Sequence, residues 1–339
     1  MALLSGKAIK HYGYLKRKNT PMKLQMAPME GITTYIYRNA HAAHFGQMDK
    51  YYTPFLSLHK EKEFSHKEKQ EILPEHNKNL HVVPQVLTNS SAEFLQAVPK
   101  IKDIGYDEIN INIGCPSGTV VSKKKGAGML ADPEALERFL EEIFAKSPID
   151  ISIKTRLGME SVDEWPRLLE IYNRYPIKEL IVHARVRRDF YKNTPSKEAY
   201  IYAKENSKNP LCYNGDIFTA QDYCQLQKEV TEENVMLGRG LISNPFLAED
   251  LYKLGQAETG KTELSLTMER CKRLQDFHDE IYEEYRKILS GDQPVLFKMK
   301  ELWTYMIGMW PDAKKQSKAI YKSKKCTEYE AVVKELFSK

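Results

Sequence analysis

Short apolar runs rich in β-branched residues alternate, through the first three quarters of the chain, with longer stretches whose apolar residues recur every three or four positions. The runs are Lys23–Ala27, Asp49–Tyr52, Val82–Val86, Glu108–Ile113, Ile151–Thr155, Leu180–His183, Pro210–Tyr213 and Val235–Leu237, and each reads as a buried strand. Between them, Pro133–Lys146 places Leu136, Phe139, Leu140 and Ile143 on one face behind a capping Asp132, the pattern of an amphipathic helix. Val162–Tyr175 and Ala220–Val230 read the same way. Eight strand-then-helix units over roughly 230 residues predict a TIM (β/α)8 barrel. A doubly wound sheet is the alternative, but no GxGxxG follows the first strand, where a dinucleotide fold needs it.

Beyond about Ala257 the strand signal stops. Leu264–Leu289, Phe297–Met309 and Glu328–Phe337 carry helical periodicity, with Gly260 and Ser290-Gly291-Asp292 as breaks. The expected organisation is therefore an N-terminal extension of unassigned role (1–21), a catalytic barrel (22–257) and a small all-helical C-terminal domain (258–339). That last part holds Lys314, Lys315, Lys318, Lys322, Lys324 and Lys325 close together. Such a run is either a solvated helix face or a surface for phosphates.

Composition narrows the class. The chain is 339 residues long, 42% hydrophobic and 29% charged, which suits a globular protein and excludes a disordered one. No apolar run reaches the length of a membrane span, and the basic start MALLSGKAIKHYGYLKRKNT lacks the apolar core of a secretory signal. Five cysteines, at 115, 212, 224, 271 and 326, are scattered and lack metal-type spacing. Reduced thiols in a cytoplasmic protein without a bound metal are expected, and a monomer is expected. The net charge of +5 is too mild to argue for a nucleic-acid partner by itself.

The strand ends carry the chemistry, because a TIM barrel builds its site on that rim. In order they read Ala27-Pro28-Met29-Glu30-Gly31, Tyr52, Gln85, Asn112 with Cys115, Lys154 with Arg156, His183 with Arg185, Asn214-Gly215-Asp216 and Gly238-Arg239-Gly240. Any one of these is compatible with a plain surface residue; together on one rim they describe a pocket. Loops after the seventh and eighth strands of such barrels commonly bind phosphate. Here Asn214-Gly215-Asp216 and Gly238-Arg239 supply glycine N–H groups and a guanidinium for that purpose, although the glycines also fit ordinary turns. Gln85 offers a donor and an acceptor to a heterocycle edge, and Lys154 can stabilise negative charge on a ring nitrogen. The combination suggests flavin mononucleotide (FMN).

Cys115 stands apart from the other thiols. It follows a turn glycine, precedes a proline and leads into the polar loop GTVVSKKKGAGM, which reads as a mobile lid. A thiol so placed could be a nucleophile or a general acid. General acid is preferred, because hydride delivery to a conjugated ring must be matched by a proton on the neighbouring carbon.

Taken together, APMEGITTYIYR (27–38), NIGCPSGTVVSKKKGAGML (112–130), SIKTRLG (152–158), IVHAR (181–185), YNGDI (213–217) and LGRG (237–240) closely resemble the tRNA-dihydrouridine synthases. The likeness covers residues 22 to 250 as ordered motifs, and the helical C-terminal region corresponds in position and length to that family's RNA-binding domain. It implies that Pro28 and Met29 line the flavin, that Gln85, Lys154 and His183 contact its rings, and that Asn214, Gly215, Gly238 and Arg239 hold its phosphate, with Asp216 beside them. It implies that Cys115 protonates carbon 5 of a uracil while reduced FMN gives hydride to carbon 6. Asn112 would hold the base, Arg185 would lie near base or backbone, and NADPH would reduce the flavin.

Two positions depart from the family pattern. Thr34 stands where an Asp is common, and Ala184-Arg185-Val186 replaces a GRT-type segment while keeping its arginine. Turning a uridine out of a folded RNA costs a few kcal/mol; phosphate contacts from Lys123, Lys124 and Lys125 on the lid and from Lys314, Lys315 and Lys318 would offset that. Tyr51 and Tyr52 are candidates to stack on a base. Two other readings compete: an FMN barrel acting on a free pyrimidine, similar to dihydroorotate dehydrogenase, and a non-catalytic RNA-binding module. The first would not need the C-terminal helices or the lysine lid, and the second leaves the polar rim unexplained.

Overall fold

The computed structural model describes residues 22–58, 64–256 and 267–338. The expected N-terminal extension, the boundary at 257–258, Gly260 and the start of a helix at Leu264 lie outside the described residues.

Ten strands form one sheet: β1 (Lys23–Met26), β2 (Lys50–Tyr52), β3 (Leu56–Ser57), β4 (Val82–Val83), β5 (Gln85–Leu87), β6 (Glu108–Ile113), β7 (Asp150–Arg156), β8 (Leu180–His183), β9 (Leu211–Asn214) and β10 (Asn234–Leu237). Their order is β3-β5-β6-β7-β8-β9-β10-β1-β2-β4, and every pair is parallel. β4 and β5 are one passage broken at Pro84, which has no N–H to give the ladder. β2 and β3 are likewise one passage, broken at Thr53-Pro54-Phe55. Since β2 pairs with β4 and β3 with β5, the ten strands make eight passages that close on themselves. This is the (β/α)8 barrel.

The local chemistry explains the elements. β6 and β8 span the residues that the pattern predicts, because each is a short run buried throughout. The Pro133–Lys146 helix starts where Asp132 Oδ1 accepts the Ala135 N–H at 3.0 Å. Val162–Tyr175 is instead a 3-10 turn over Val162–Glu164 followed by an α-helix over Trp165–Tyr172, with Pro166 in the first helical turn, where its missing N–H costs nothing.

Among the described residues the C-terminal region holds four α-helices, Met268–Ile288, Asp292–Met306, Lys314–Lys322 and Cys326–Phe337. They close around Trp303, whose Nε1 donates to the Tyr329 hydroxyl at 2.7 Å, with His278 Nε2 2.6 Å from the same oxygen. One apolar cluster runs from the barrel into these helices. At the junction Phe277 packs edge-on to Phe45 and Tyr37, with centroids 5.0 and 5.5 Å away. Thr34, at the position of the first family departure, lies with its hydroxyl 2.9 Å from that of Tyr285. Among the described residues no helix is long and apolar enough to cross a membrane.

Candidate active site

The C-terminal strand ends bring most of the rim residues together. One cavity is lined by Ala27, Pro28 and Met29 after β1, Lys154 of β7, His183 of β8, Asn214 to Asp216 at the end of β9, and Gly238 to Gly240 after β10. Three aromatic or cationic partners close it. Tyr191 lies with its ring 4.2 Å from the Arg239 guanidinium and 5.9 Å from His183, and Phe218 lies 5.4 Å from Arg239. The remaining space is small, about 70 Å³. Tyr191 is 50% exposed and stands at the open side of the cavity.

The mouth is strongly cationic. Lys154 Nζ donates to Asn214 Oδ1 at 2.7 Å, and Asn214 is itself fixed by donating to the Met236 carbonyl at 2.9 Å. Burial, aided by the Arg156 charge, lowers the Lys154 ammonium to about 7. Burial and the charges of Arg156, Lys154, Arg185 and Arg239 hold the His183 imidazole well below its ordinary value, so it is neutral. Its Nε2 lies 3.1 Å from Arg185 Nη1; a guanidinium only donates, so this nitrogen accepts and the proton sits on Nδ1.

Asp216 is the acidic counterweight. It takes both Nη atoms of Arg185 and, at 2.6 Å, Arg239 Nη2. Arg185 is 2% exposed and also bonds the Asn193 carbonyl. It therefore stands behind His183 and Asp216 rather than out toward solvent, where a contact to an RNA backbone would need it. Residue types at strand ends do not reveal this, because the pairing depends on which side chains face one another across two strands.

Gln85 and Asn112 belong to a layer beneath the cavity. Gln85 is fully buried; its Nε2 donates to Asn110 Oδ1 at 2.8 Å and its Oε1 accepts from Asn112 Nδ2 at 2.9 Å. Asn110 continues to Ser152 at 2.9 Å. The amide of Gln85, read above as meeting a heterocycle edge, is thus used within this chain of side chains. Asn112 spends its Oδ1 on the backbone N–H groups of Gly114 and Cys115, at 3.1 and 2.9 Å.

Cys115 sits just past β6 and is half-buried. Burial pushes its thiol above the ordinary range, while the Ser117 backbone, Arg156 and Lys154 pull the other way. It is protonated at neutral pH and able to give a proton. The following loop is more structured than an open lid. It folds into a short helix over Gly118–Val121 and a 3-10 segment over Gly126–Ala131. Gly126 has φ +56°, and a Cβ there would come within 3.0 Å of Cys115 Cβ, so glycine lets the loop return against the Cys115 backbone. Lys123 and Lys124 are exposed; Lys125 turns inward to Glu93 at 3.6 Å.

The remaining expected contacts fall elsewhere. Tyr51 and Tyr52 are completely buried, Tyr51 accepting the Met48 N–H and Tyr52 donating to Glu179 at 2.9 Å. Neither can stack on a base; β2 puts both into packed layers. Lys314, Lys315 and Lys318 lie exposed on the Lys314–Lys322 helix, away from this cavity's lining. Tyr191 and Phe218 are not among the rim residues that the sequence suggests, and Arg156 is there only as a strand-end cation with no assigned role. The aromatic loop after β8 was the available signal for Tyr191.

The rim can accept a flavin's groups. A Cβ on Gly238 would point toward Ala27 and Met29, at 3.5 and 3.9 Å, so the missing side chain leaves the wall of the cavity open. Lys154, neutral His183, Asn214 and Arg239 provide donors and positive charge around it, a set suited to an electron-rich ring and a phosphate.

Comparison with known proteins gives the family and the fold. The family model described as dihydrouridine synthase matches residues 25–335. A Staphylococcus epidermidis protein named "Probable tRNA-dihydrouridine synthase" is 28% identical over 233 residues, 66% of this chain and 70% of the relative. A Pseudomonas syringae pv. tomato protein named tRNA-dihydrouridine(16) synthase is 28% identical over 244 residues, covering 70% of this chain and 77% of its own. Among solved structures, histamine dehydrogenase from Rhizobium sp. 4-9 superposes with a TM-score of 0.50 at 11% identity, over 68% of this chain and 45% of that one, a likeness of fold. With its family pattern running through barrel and helices alike, the chain belongs to the dihydrouridine synthase family.

Proposed function

We propose that this enzyme is a tRNA-dihydrouridine synthase that works with FMN and takes its electrons from NADPH, as a cytoplasmic monomer. The observation that carries the reading is Cys115: a protonated thiol fixed at the mouth of a cationic barrel in a chain of this family. Residues 22–257 form the catalytic unit and 258–339 the RNA-binding unit. Pro28 and Met29 line the ring system, Lys154 and His183 face it, and Gln85 supports it from below. Asn214, Gly215, Gly238 and Arg239 would hold the phosphate end, with Asp216 beside them orienting Arg239.

Reduced flavin, when bound, supplies the hydride that reaches carbon 6 of the uracil. The protein's own part is to place and protonate. Cys115 gives its thiol proton to carbon 5, completing reduction of the double bond, and water restores the proton. Asn112 keeps the thiol and the base in register, while Arg185 steadies His183 from behind. Neutral His183 presents its Nδ1 proton, and Lys154, near its titration point, stabilises negative charge on the ring. Lys123 and Lys124, with Lys314, Lys315 and Lys318, contact RNA phosphates and offset the cost of unstacking the target, while Lys125 stays paired with Glu93.

Mass spectrometry of tRNA after incubation with the protein, FMN and NADPH tests this, comparing wild type with Cys115→Ala. A gain of about two mass units on a uridine, mostly lost in the variant, is the expected result. Equal product from both would displace Cys115 from its role. No product from a yellow protein that still oxidises NADPH would point to a free pyrimidine, and a colourless protein that takes up no FMN would leave an RNA-binding module.

A further inference from the structure

Arg156 closes β7, opposite His183 in the β7–β8 register, and is 1% exposed. Its three nitrogens are all committed to backbone carbonyls. Nε donates to Gly114 at 3.0 Å, Nη1 to Val186 at 2.9 Å and Nη2 to Phe190 at 2.9 Å. Buried arginines normally meet a carboxylate, as Arg38 does with Glu71 at 2.9 Å. An arginine buried against carbonyls alone is costly to keep in the folded state, and these three carbonyls belong to two different active-site loops.

We infer that Arg156 is a positioning residue for the proton donor, clamping the backbone before Cys115 to the loop that carries Tyr191 on the other flank of β7. The inference rests on the reading of Cys115 as the acid. The backbone around the thiol is pinned at three points: its own N–H by Asn112 at 2.9 Å, its carbonyl by the Ala127 N–H at 3.1 Å, and the preceding carbonyl by Arg156. Only the Arg156 contact reaches another part of the rim. There the guanidinium also lies 5.5 Å from the Tyr191 ring, so one side chain sets the distance between the loops after β6 and β8. Lysine retains the charge but not the fork, and cannot hold three carbonyls in one plane.

The test uses the full-length FMN-loaded protein with Arg156→Lys and Arg156→Gln. Two readouts are taken: kcat and KM for dihydrouridine formation, and the rate of Cys115 alkylation by iodoacetamide against pH, resolved by peptide mass spectrometry. The expected result for both variants is a kcat at least tenfold lower with KM for tRNA within about twofold, and a changed Cys115 alkylation profile at unchanged FMN content. In Arg156→Lys the retained charge does not restore kcat. Wild-type kcat in either variant overturns the inference, as does an unaltered Cys115 alkylation profile alongside lost activity. Failure of both variants to fold or to bind FMN also overturns it, since Arg156 would then be a structural pin. If Cys115→Ala remains fully active, the reading of the acid fails instead, and alkylation at Cys115 in the Arg156 variants still reports whether the clamp exists.

Discussion

Asn112 Oδ1 accepts the backbone N–H of Cys115 at 2.9 Å and that of Gly114 at 3.1 Å. One side chain thus sets the turn that presents the thiol, with its own amide nitrogen anchored on Gln85. Replacing Asn112 with Ala leaves two backbone donors without their acceptor, a loss of about 1–3 kcal/mol. Thermal unfolding should register that loss, and dihydrouridine formation should fall at least tenfold in protein that still binds FMN. Activity within twofold of wild type would show that the turn holds without it.

Lys154 gives a pH signature. Burial, reinforced by Arg156, brings its ammonium down to about 7, whereas in the unfolded chain it stays protonated to about 10. Between those values the unfolded state binds the extra proton, so stability rises with pH across that window and the contribution is flat below it. In FMN-free protein, the difference in melting temperature between wild type and Lys154→Met should grow in favour of wild type from about pH 7 to 10. Parallel curves would mean that Lys154 stays charged in the fold.

Arg239 is held at 2.6 Å by Asp216 and borders the cavity beside the glycines at 215 and 238. Arg239→Ala should raise the FMN dissociation constant by about 10- to 100-fold, the measure of one charged phosphate interaction. Fluorescence titration of FMN reads this directly, and an unchanged constant would move the phosphate elsewhere.

The exposed lysines make a claim about salt. Replacing Lys314, Lys315 and Lys318 with Glu should weaken tRNA binding and flatten the plot of log affinity against log salt by about 0.7–0.9 for each phosphate that is no longer neutralised. The same slope in the variant would identify them as a solvated face.

At the junction of barrel and helices, Phe277 is fully buried against Tyr37 and Phe45. Phe277→Ala should cost about 3–5 kcal/mol, seen as a lower denaturant midpoint for a single transition. An early, separate transition of the helices alone would show that the two parts unfold independently.

The barrel was readable from the chain because its strands are short and mostly buried: Leu180–Val182 is wholly apolar, and in Ile109–Ile113 the isoleucines alternate with two buried asparagines that bond to neighbouring side chains. The breaks at Pro54 and Pro84 hid how the second and third passages split, and Leu56–Ser57 was too short to stand out. The rim was readable as a set of residue types at strand ends. Their partnerships were not: Arg185 with Asp216, and Gln85 with Asn110 and Asn112, are set by neighbours on adjacent strands. Arg156 was noted only as a strand-end cation, since nothing in one strand reveals that it reaches two loops at once.

The shared core has a consequence for synthesis on the ribosome. The helix Tyr35–Phe45 packs directly against the helix Met268–Ile288, and β1 completes the ring only by pairing with β10. The earliest elements to emerge therefore wait for some of the last. Until Phe277 arrives, Tyr37 and Phe45 lack one of their aromatic partners, although Phe246 already covers Phe45, and a nascent chain halted before residue 268 leaves part of this apolar face open to chaperones and proteases. A C-terminal truncation before Met268 spares every cavity-lining residue of the barrel and still leaves the first helix without the partner it packs against.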